Sequence, residues 1–283
     1  MKSTNNPAIL LAIVLSLFCL TGCKNQKVIK ASEAEEKYWN TLSSNVVISY
    51  KQGRLDEAFK FADEALTVAK HIYSNNHPKV ASSLNNLGEI YRAKGNYTQA
   101  ESFYKQALSI DEKALGKNHI NVAGDLNNLA VLYRVIGKLQ EAETLNKRAL
   151  KIREKILGKE HPEVAISLSN LGIIYRVQGK SNEAESLFRR ALLIREKAFG
   201  KEHPDVAISL NNLAELYSTE GKYSQAEPLF KRSVAILEKT LGKDHPNITA
   251  VMKNLSLMYK NMDKNDLAQA FDKSAKAGKK TLK

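Results

Sequence analysis

Hydrophobic positions along the chain follow two nested periods. At short range, Leu84, Leu87, Gly88 and Tyr91 fall on one face of an α-helix. At long range the same text returns every 42 residues: LNNLGEIYRAKG from Leu84, LNNLAVLYRVIG from Leu126, LSNLGIIYRVQG from Leu168 and LNNLAELYSTEG from Leu210. Gly95, Gly137, Gly179 and Gly221 close these segments, and an Ala-Glu pair follows at Ala100, Ala142, Ala184 and Ala226. Each unit therefore predicts two helices broken by a glycine. Thr98 with Glu101 and Ser224 with Glu227 read as capping boxes opening the second helix, with Asn182/Glu185 and Asp266/Gln269 as variants. Gly116, Gly158, Gly200 and Gly242 stand where a left-handed C-cap is expected. His77-Pro78, His161-Pro162, His203-Pro204 and His245-Pro246, with His119-Ile120 among them, then stop one unit and start the next.

This pattern, L-x-x-L-[GA]-x-x-Y, Gly, then A-x-x-x-F and Ala, resembles the tetratricopeptide repeat. The longer unit and its L-G-K-x-H-P-x-V-A turn are similar to the kinesin light chain version. The resemblance covers residues 36–276 as six units and implies an all-α fold: a right-handed α-solenoid of about six antiparallel helix pairs. The ends depart from the pattern as caps do. Trp39 and Tyr38 have no later counterparts, Tyr50 lies three residues before Gly53, and Asp263 replaces the last turn glycine. Residues 277–283 read as a basic tail. Within the array, Asn146 occupies the place of Phe188 and Phe230, a spot expected to pack less tightly.

Composition agrees with helices throughout, since strong helix formers outnumber β-branched and aromatic residues. The formal charge is +13, and +12 without Lys2, so the chain is basic with or without its first 22 residues. Such an excess speaks to association rather than fold. No stretch interleaves basic and aromatic residues as a nucleic-acid platform does, and glutamates dilute the positive charge everywhere. Five of the six histidines mark successive turns, too far apart in a stacked solenoid to share a metal. The sequence holds no H-E-x-x-H, C-x-x-C, G-x-S-x-G or dinucleotide fingerprint. No catalytic residue, cofactor or metal is expected.

The N-terminus reads as an export signal. Lys2 precedes an apolar run from Ala8 to Leu20, too short to span a bilayer. Leu20-Thr21-Gly22-Cys23 follows and resembles the bacterial lipobox, which implies cleavage of residues 1–22 and lipid attachment to Cys23. Residues 23–35 would then be the lipidated cysteine and a tether. Lys24, rather than aspartate, follows the cysteine, which by the same resemblance points to the periplasmic face of a Gram-negative outer membrane. The outer leaflet of a Gram-positive plasma membrane is the alternative. Cys19 lies inside the apolar run, so no disulfide is expected.

If Leu84, Leu87, Gly88 and Tyr91 pack inward, the neighbouring stripe of the first helix faces elsewhere; in a tetratricopeptide superhelix it lines the concave groove. Asn86, Asn128, Asn170, Asn212 and Asn254 recur on that stripe, although asparagine is a poor helix residue. The functional reading is a ladder of amides, roughly 10 Å apart, that holds the main chain of an extended peptide. The bland reading is bonding between units. Arg92, Arg134 and Arg176 lie beside the ladder and favour an acidic ligand. The expected partner is a protein or peptide rather than nucleic acid or a small molecule, with the membrane reached through the Cys23 lipid. The expected role is a lipid-anchored scaffold in an envelope, secretion or pilus assembly. The alternative is a structural subunit that docks by its convex face and leaves the groove idle.

Overall fold

The computed structural model describes residues 32–242 and 245–280, with side chains to residue 275. Among these residues there are twelve helices and no strand, arranged as six consecutive pairs. The pairs are α1 (Glu33–Lys51) with α2 (Leu55–Ile72), α3 (Pro78–Ala93) with α4 (Tyr97–Leu115), and α5 (Ile120–Val135) with α6 (Leu139–Leu157). They continue as α7 (Pro162–Val177) with α8 (Ser181–Phe199), α9 (Pro204–Thr219) with α10 (Tyr223–Leu241), and α11 (Pro246–Asn261) with α12 (Asn265–Lys280). The export signal, Cys23 and the first part of the tether lie outside the described residues. No described helix is long and apolar enough to cross a membrane.

Each first helix from the second unit onward starts on a histidine. His77, His119, His161, His203 and His245 are N-cap residues in extended conformation, and each Nδ1 accepts the backbone N–H two residues on, at 3.1–3.2 Å. The proline that follows four of them loses nothing at the first helical position, where its N–H would have no partner. At the other end of the linker the glycine has positive φ as expected, but the conformation is not the left-handed helical one. Gly116 has φ 88° and ψ 153°, a region that a Cβ essentially forbids.

The capping boxes expected for the second helices are not formed. The N-cap of α4 is Asn96, whose side chain accepts the Gln99 N–H, and Thr98 lies inside the helix. The N-caps of α6, α8 and α10 are Lys138, Lys180 and Lys222, with no side-chain cap. A capping box does open the array, between Ser32 and Glu35.

Within the array each first helix packs on its own second helix, on the second helix of the preceding unit, and on the first helix of the next. Second helices of successive units make no such contact with one another. The stack is therefore tighter along the first helices and fans open along the second, which bends it with the first helices on the concave wall. Inside, Tyr104 and Phe188 are fully buried and pack against Gly88 and Gly172; a Cβ at either glycine would stand 2.6 Å from the ring. Trp39 closes the first unit, its indole N–H donating to Ser83 Oγ at 3.0 Å.

Candidate functional site on the concave wall

One row of convex charges is satisfied within the protein. Tyr133, Tyr175, Tyr217 and Tyr259 each donate their hydroxyl to the glutamate that opens the preceding second helix: Glu101, Glu143, Glu185 and Glu227, at 2.8–3.3 Å. Glu101, Glu185 and Glu227 are the glutamates expected in capping boxes, and together with Glu143 they staple units instead. A cation one helical turn on pairs with each: Lys105, Lys147, Arg189 and Lys231. The Lys147 ammonium holds Glu143 down to about 2, against the cost of burial. Arg148, Arg190 and Arg232 reach back to the carbonyls of Lys117, Lys159 and Lys201 in the preceding linker and pair with Glu112, Glu154 and Glu196.

The concave asparagines divide into two sets. Asn170 donates to Asn127 Oδ1 of the preceding unit at 2.6 Å, and Asn254 donates to Asn211 Oδ1 at 3.0 Å and Glu215 Oε1 at 2.6 Å. These two amides hold neighbouring units together. Among the described residues, Asn86, Asn128 and Asn212 make no side-chain hydrogen bond and are half-buried on the wall.

The arginines differ as sharply. Arg92 grips Glu89 with both a terminal nitrogen and Nε, the latter at 3.0 Å, and Tyr50 and Tyr104 donate to the same carboxylate at 2.6 and 2.8 Å. Burial would raise Glu89, but the Arg92 and Tyr50 hydrogen bonds overcome it and hold the carboxyl below its ordinary value. Arg176 pairs with Glu215 at 3.1 Å. Between them, Arg134 forms no hydrogen bond or ion pair among the described residues. Burial depresses its guanidinium, and the charges of Arg176 and Arg92 add to that effect while Glu215 opposes it.

The repeat register explains why. Arg92 pairs with Glu89 of its own unit and Arg176 with Glu215 of the next, whereas for Arg134 those two places hold Val131 and Ile173. The second-helix position that faces the groove cation is Tyr104 in the second unit and Asp272 in the sixth, where Lys260 Nζ meets Asp272 at 2.8 Å. In the third unit that position is Asn146, 1% exposed, with neither amide atom hydrogen-bonded. Asn146 was visible in the sequence as a packing irregularity; that its amide is buried without a hydrogen bond was not.

The tetratricopeptide-repeat profile matches residues 40–113, 122–192 and 164–239. The chain belongs to the tetratricopeptide-repeat family. Tetratricopeptide arrays are protein-interaction scaffolds, and among solved structures this one is similar to kinesin light chain-like members. A Podosopora anserina kinesin light chain structure with nearly identical TPR-like repeats is 26% identical, covers 74% of this chain and 99% of its own, and gives a TM-score of 0.58. BtubC (BKLC) from P. vanneervenii is 23% identical over 89% of this chain and 93% of its own, with a TM-score of 0.60. A Rap protein complexed with Competence and Sporulation Factor shares the fold at 16% identity, covering 87% of this chain and 76% of its own, with a TM-score of 0.63. No curated protein matches the sequence. Among the described residues, no three histidine, cysteine, aspartate or glutamate side chains are placed to hold a metal ion.

Proposed function

We propose that this tetratricopeptide array is a non-catalytic, lipid-anchored scaffold that holds an extended, acidic segment of a partner protein along its concave wall. The observation that carries the reading is Arg134, a half-buried guanidinium without a carboxylate, set between Arg92 and Arg176. A buried charge without a partner is costly, and a carboxylate entering the groove would relieve it with charge-assisted hydrogen bonds. Asn86, Asn128 and Asn212 are available to the main chain of the same segment. On the convex side Lys105, Lys147, Arg189 and Lys231 are already matched by Glu101, Glu143, Glu185 and Glu227. Docking by that face is the less favoured reading.

Lipid attachment at Cys23 would set the array at a bacterial membrane, with the periplasmic face of the outer membrane as its place and an envelope, secretion or pilus assembly as its setting. The motif Leu20 to Cys23 supports this. Stable anchoring by two or three acyl chains follows from the requirement for more than one lipid signal.

Two measurements test the proposal. Cys23→Ser should move the protein out of the membrane fraction; retention there refutes the anchor. A photo-crosslinking residue at Asn128 or Asn212 should capture one partner in cells, while the same group at Leu193, exposed on α8, should not. The reverse pattern would transfer the function to the convex face.

A further inference from the structure

Two seams between units share one pairing, and a third replaces both of its members with carboxylates. In the third and fourth units, Arg153 and Arg195 on the second helix donate to Ser167 and Ser209, fourteen residues on in the next first helix, at 2.6 and 2.5 Å. At the same two positions the second unit and its successor carry Asp111 on α4 and Asp125 on α5. They are 3% and 2% exposed, and neither forms an ion pair among the described residues. Asn85 of α3 donates to Asp125 Oδ1 at 2.5 Å. Three oxygens of this seam, Asp111 Oδ1, Asp125 Oδ2 and Asn85 Oδ1, are buried without any donor. A seam with acceptors in excess and two carboxyl groups lacks a positive charge or a proton.

We propose that Asp111 and Asp125 form a proton-operated joint between the second and third units: with one proton, Asp125 donates to Asp111 and ties α5 to α4, and without it two carboxylates repel across the seam. The remaining groups around the joint do not supply the missing charge. Asp125 faces the neutral Asn85 amide from α3, and Asp111 and Glu112 from α4. Glu112 is neutralised by Arg148 of α6, at 2.7 Å. Asp111 is approached by Asn121 of α5 and, from the linker, by His119, which favours the charged form when itself protonated. Burial, partly opposed by the Asn85 hydrogen bond and reinforced by Asp111, pushes Asp125 up to about 7, and burial raises Asp111 as well. The joint thus changes state within the pH range of bacterial surroundings. Because Asn85 belongs to α3 and Arg134 to α5, opening it would part the groove wall between Arg92 and the unpaired guanidinium.

The sign follows from linkage. A carboxyl whose folded value lies above its unfolded value binds more protons in the folded state, so its stability contribution is lost as pH rises between the two and is flat above the folded value. The test uses the intact protein and native-state amide exchange, corrected for intrinsic rates, between pH 5 and pH 8. The opening constant of α4 and α5 amides should rise by up to tenfold per pH unit from about pH 5 to about pH 7, relative to Asp125→Asn, which removes the charge at constant shape. Amides of α9 and α10 should not show the difference. Parallel profiles for the two proteins would overturn the joint. Carboxyl carbon NMR of the unsubstituted protein gives an answer that does not depend on the variant folding: an Asp125 resonance titrating near pH 4 refutes the proposal, one near pH 7 supports it. Millimolar magnesium or calcium that restores low-pH exchange at pH 8 while the carboxyls stay ionised would show that a cation, not a proton, fills the seam, and would also refute it. None of these outcomes depends on whether the groove binds an acidic segment.

Discussion

Tyr217 on α9 donates its hydroxyl to Glu185 on α8, 2.8 Å away, so the residue that fills one unit's core also locks the carboxylate of the unit before it. Arg189 holds the pair from the other side, donating to both the carboxylate and the hydroxyl. Tyr217→Phe keeps the ring, which is 3% exposed, and removes the hydroxyl alone. The expected loss is about 1 kcal/mol, the usual net worth of one hydrogen bond. Denaturant unfolding of Tyr217→Phe, Glu185→Gln and the double variant should show a coupling energy; simple additivity would mean that the staple contributes nothing.

The same staples set the response to acid. Glu101, Glu143, Glu185 and Glu227 are all held below the ordinary carboxylate value, chiefly by hydrogen bonds from Lys105, Lys147, Arg189 and Lys231. A folded value below the unfolded one gives stability that is present above the unfolded value and lost as pH falls through the folded one. The window for Glu143 runs from about 4.5 down to about 2. Unfolding midpoints should therefore fall from pH 5 to pH 3, and Glu143→Gln should flatten that slope. An unchanged slope would assign acid sensitivity to other groups.

Much of the fold was legible because each unit repeats its own evidence. The spacing of Leu84, Leu87 and Tyr91 and the return of that text at Leu126, Leu168 and Leu210 specify helix pairs and their stacking without any long-range inference. What the sequence hid depends on contacts between units. Glu101 sits three residues after Thr98 in a local pattern that imitates a helix cap, while its partner Tyr133 is 32 residues away. Histidine is not a usual N-cap, so five repeated His residues read as turn markers although each ring accepts a backbone N–H. In the groove, the Asn and Arg stripes were visible, but not that Asn170 and Asn254 are engaged and Arg134 is not. A signal existed: comparing copies position by position sets Val131 against Glu89 and Asn146 against Tyr104. The same comparison sets Asp111 and Asp125 against Arg153 and Ser167.

Asn146 makes a stability prediction of its own. Its position holds Tyr104, Phe188 and Phe230 in other units, all fully buried, while its own amide is buried with neither atom bonded. An unsatisfied buried polar group costs about 1 to 3 kcal/mol. Asn146→Leu should therefore raise stability in denaturant unfolding, by about 1 kcal/mol or more. Gly172→Ala should do the opposite by about 1 to 3 kcal/mol, because its Cβ would meet the Phe188 ring at 2.6 Å. If Asn146→Leu instead destabilises the protein, the amide has a partner in solution that the free groove does not show.

Binding by the groove separates the three arginines. Arg92 is already committed to Glu89 and Arg176 to Glu215, so removing either mainly frees a carboxylate on the wall. Removing Arg134 deletes the guanidinium that has no such commitment. With a glutamate-rich, end-blocked peptide as probe, Arg134→Ala should weaken binding by about 1.5 to 3 kcal/mol, the range for hydrogen bonds to charged groups. The loss should shrink as salt rises, since a half-buried charge at the groove is screened over about 8 Å at physiological ionic strength. Asn128→Ala should cost less and respond little to salt, because it removes a neutral contact to main chain. Titration calorimetry of both variants at two salt concentrations distinguishes these signatures. Should Arg134→Ala bind the probe as tightly as the unsubstituted protein at low salt, the unpaired guanidinium does not select the ligand and the acidic preference falls. Should Asn128→Ala and Asn212→Ala also bind unchanged, the concave wall is not the docking surface, and the convex helices α4, α6, α8 and α10 must carry the partner instead.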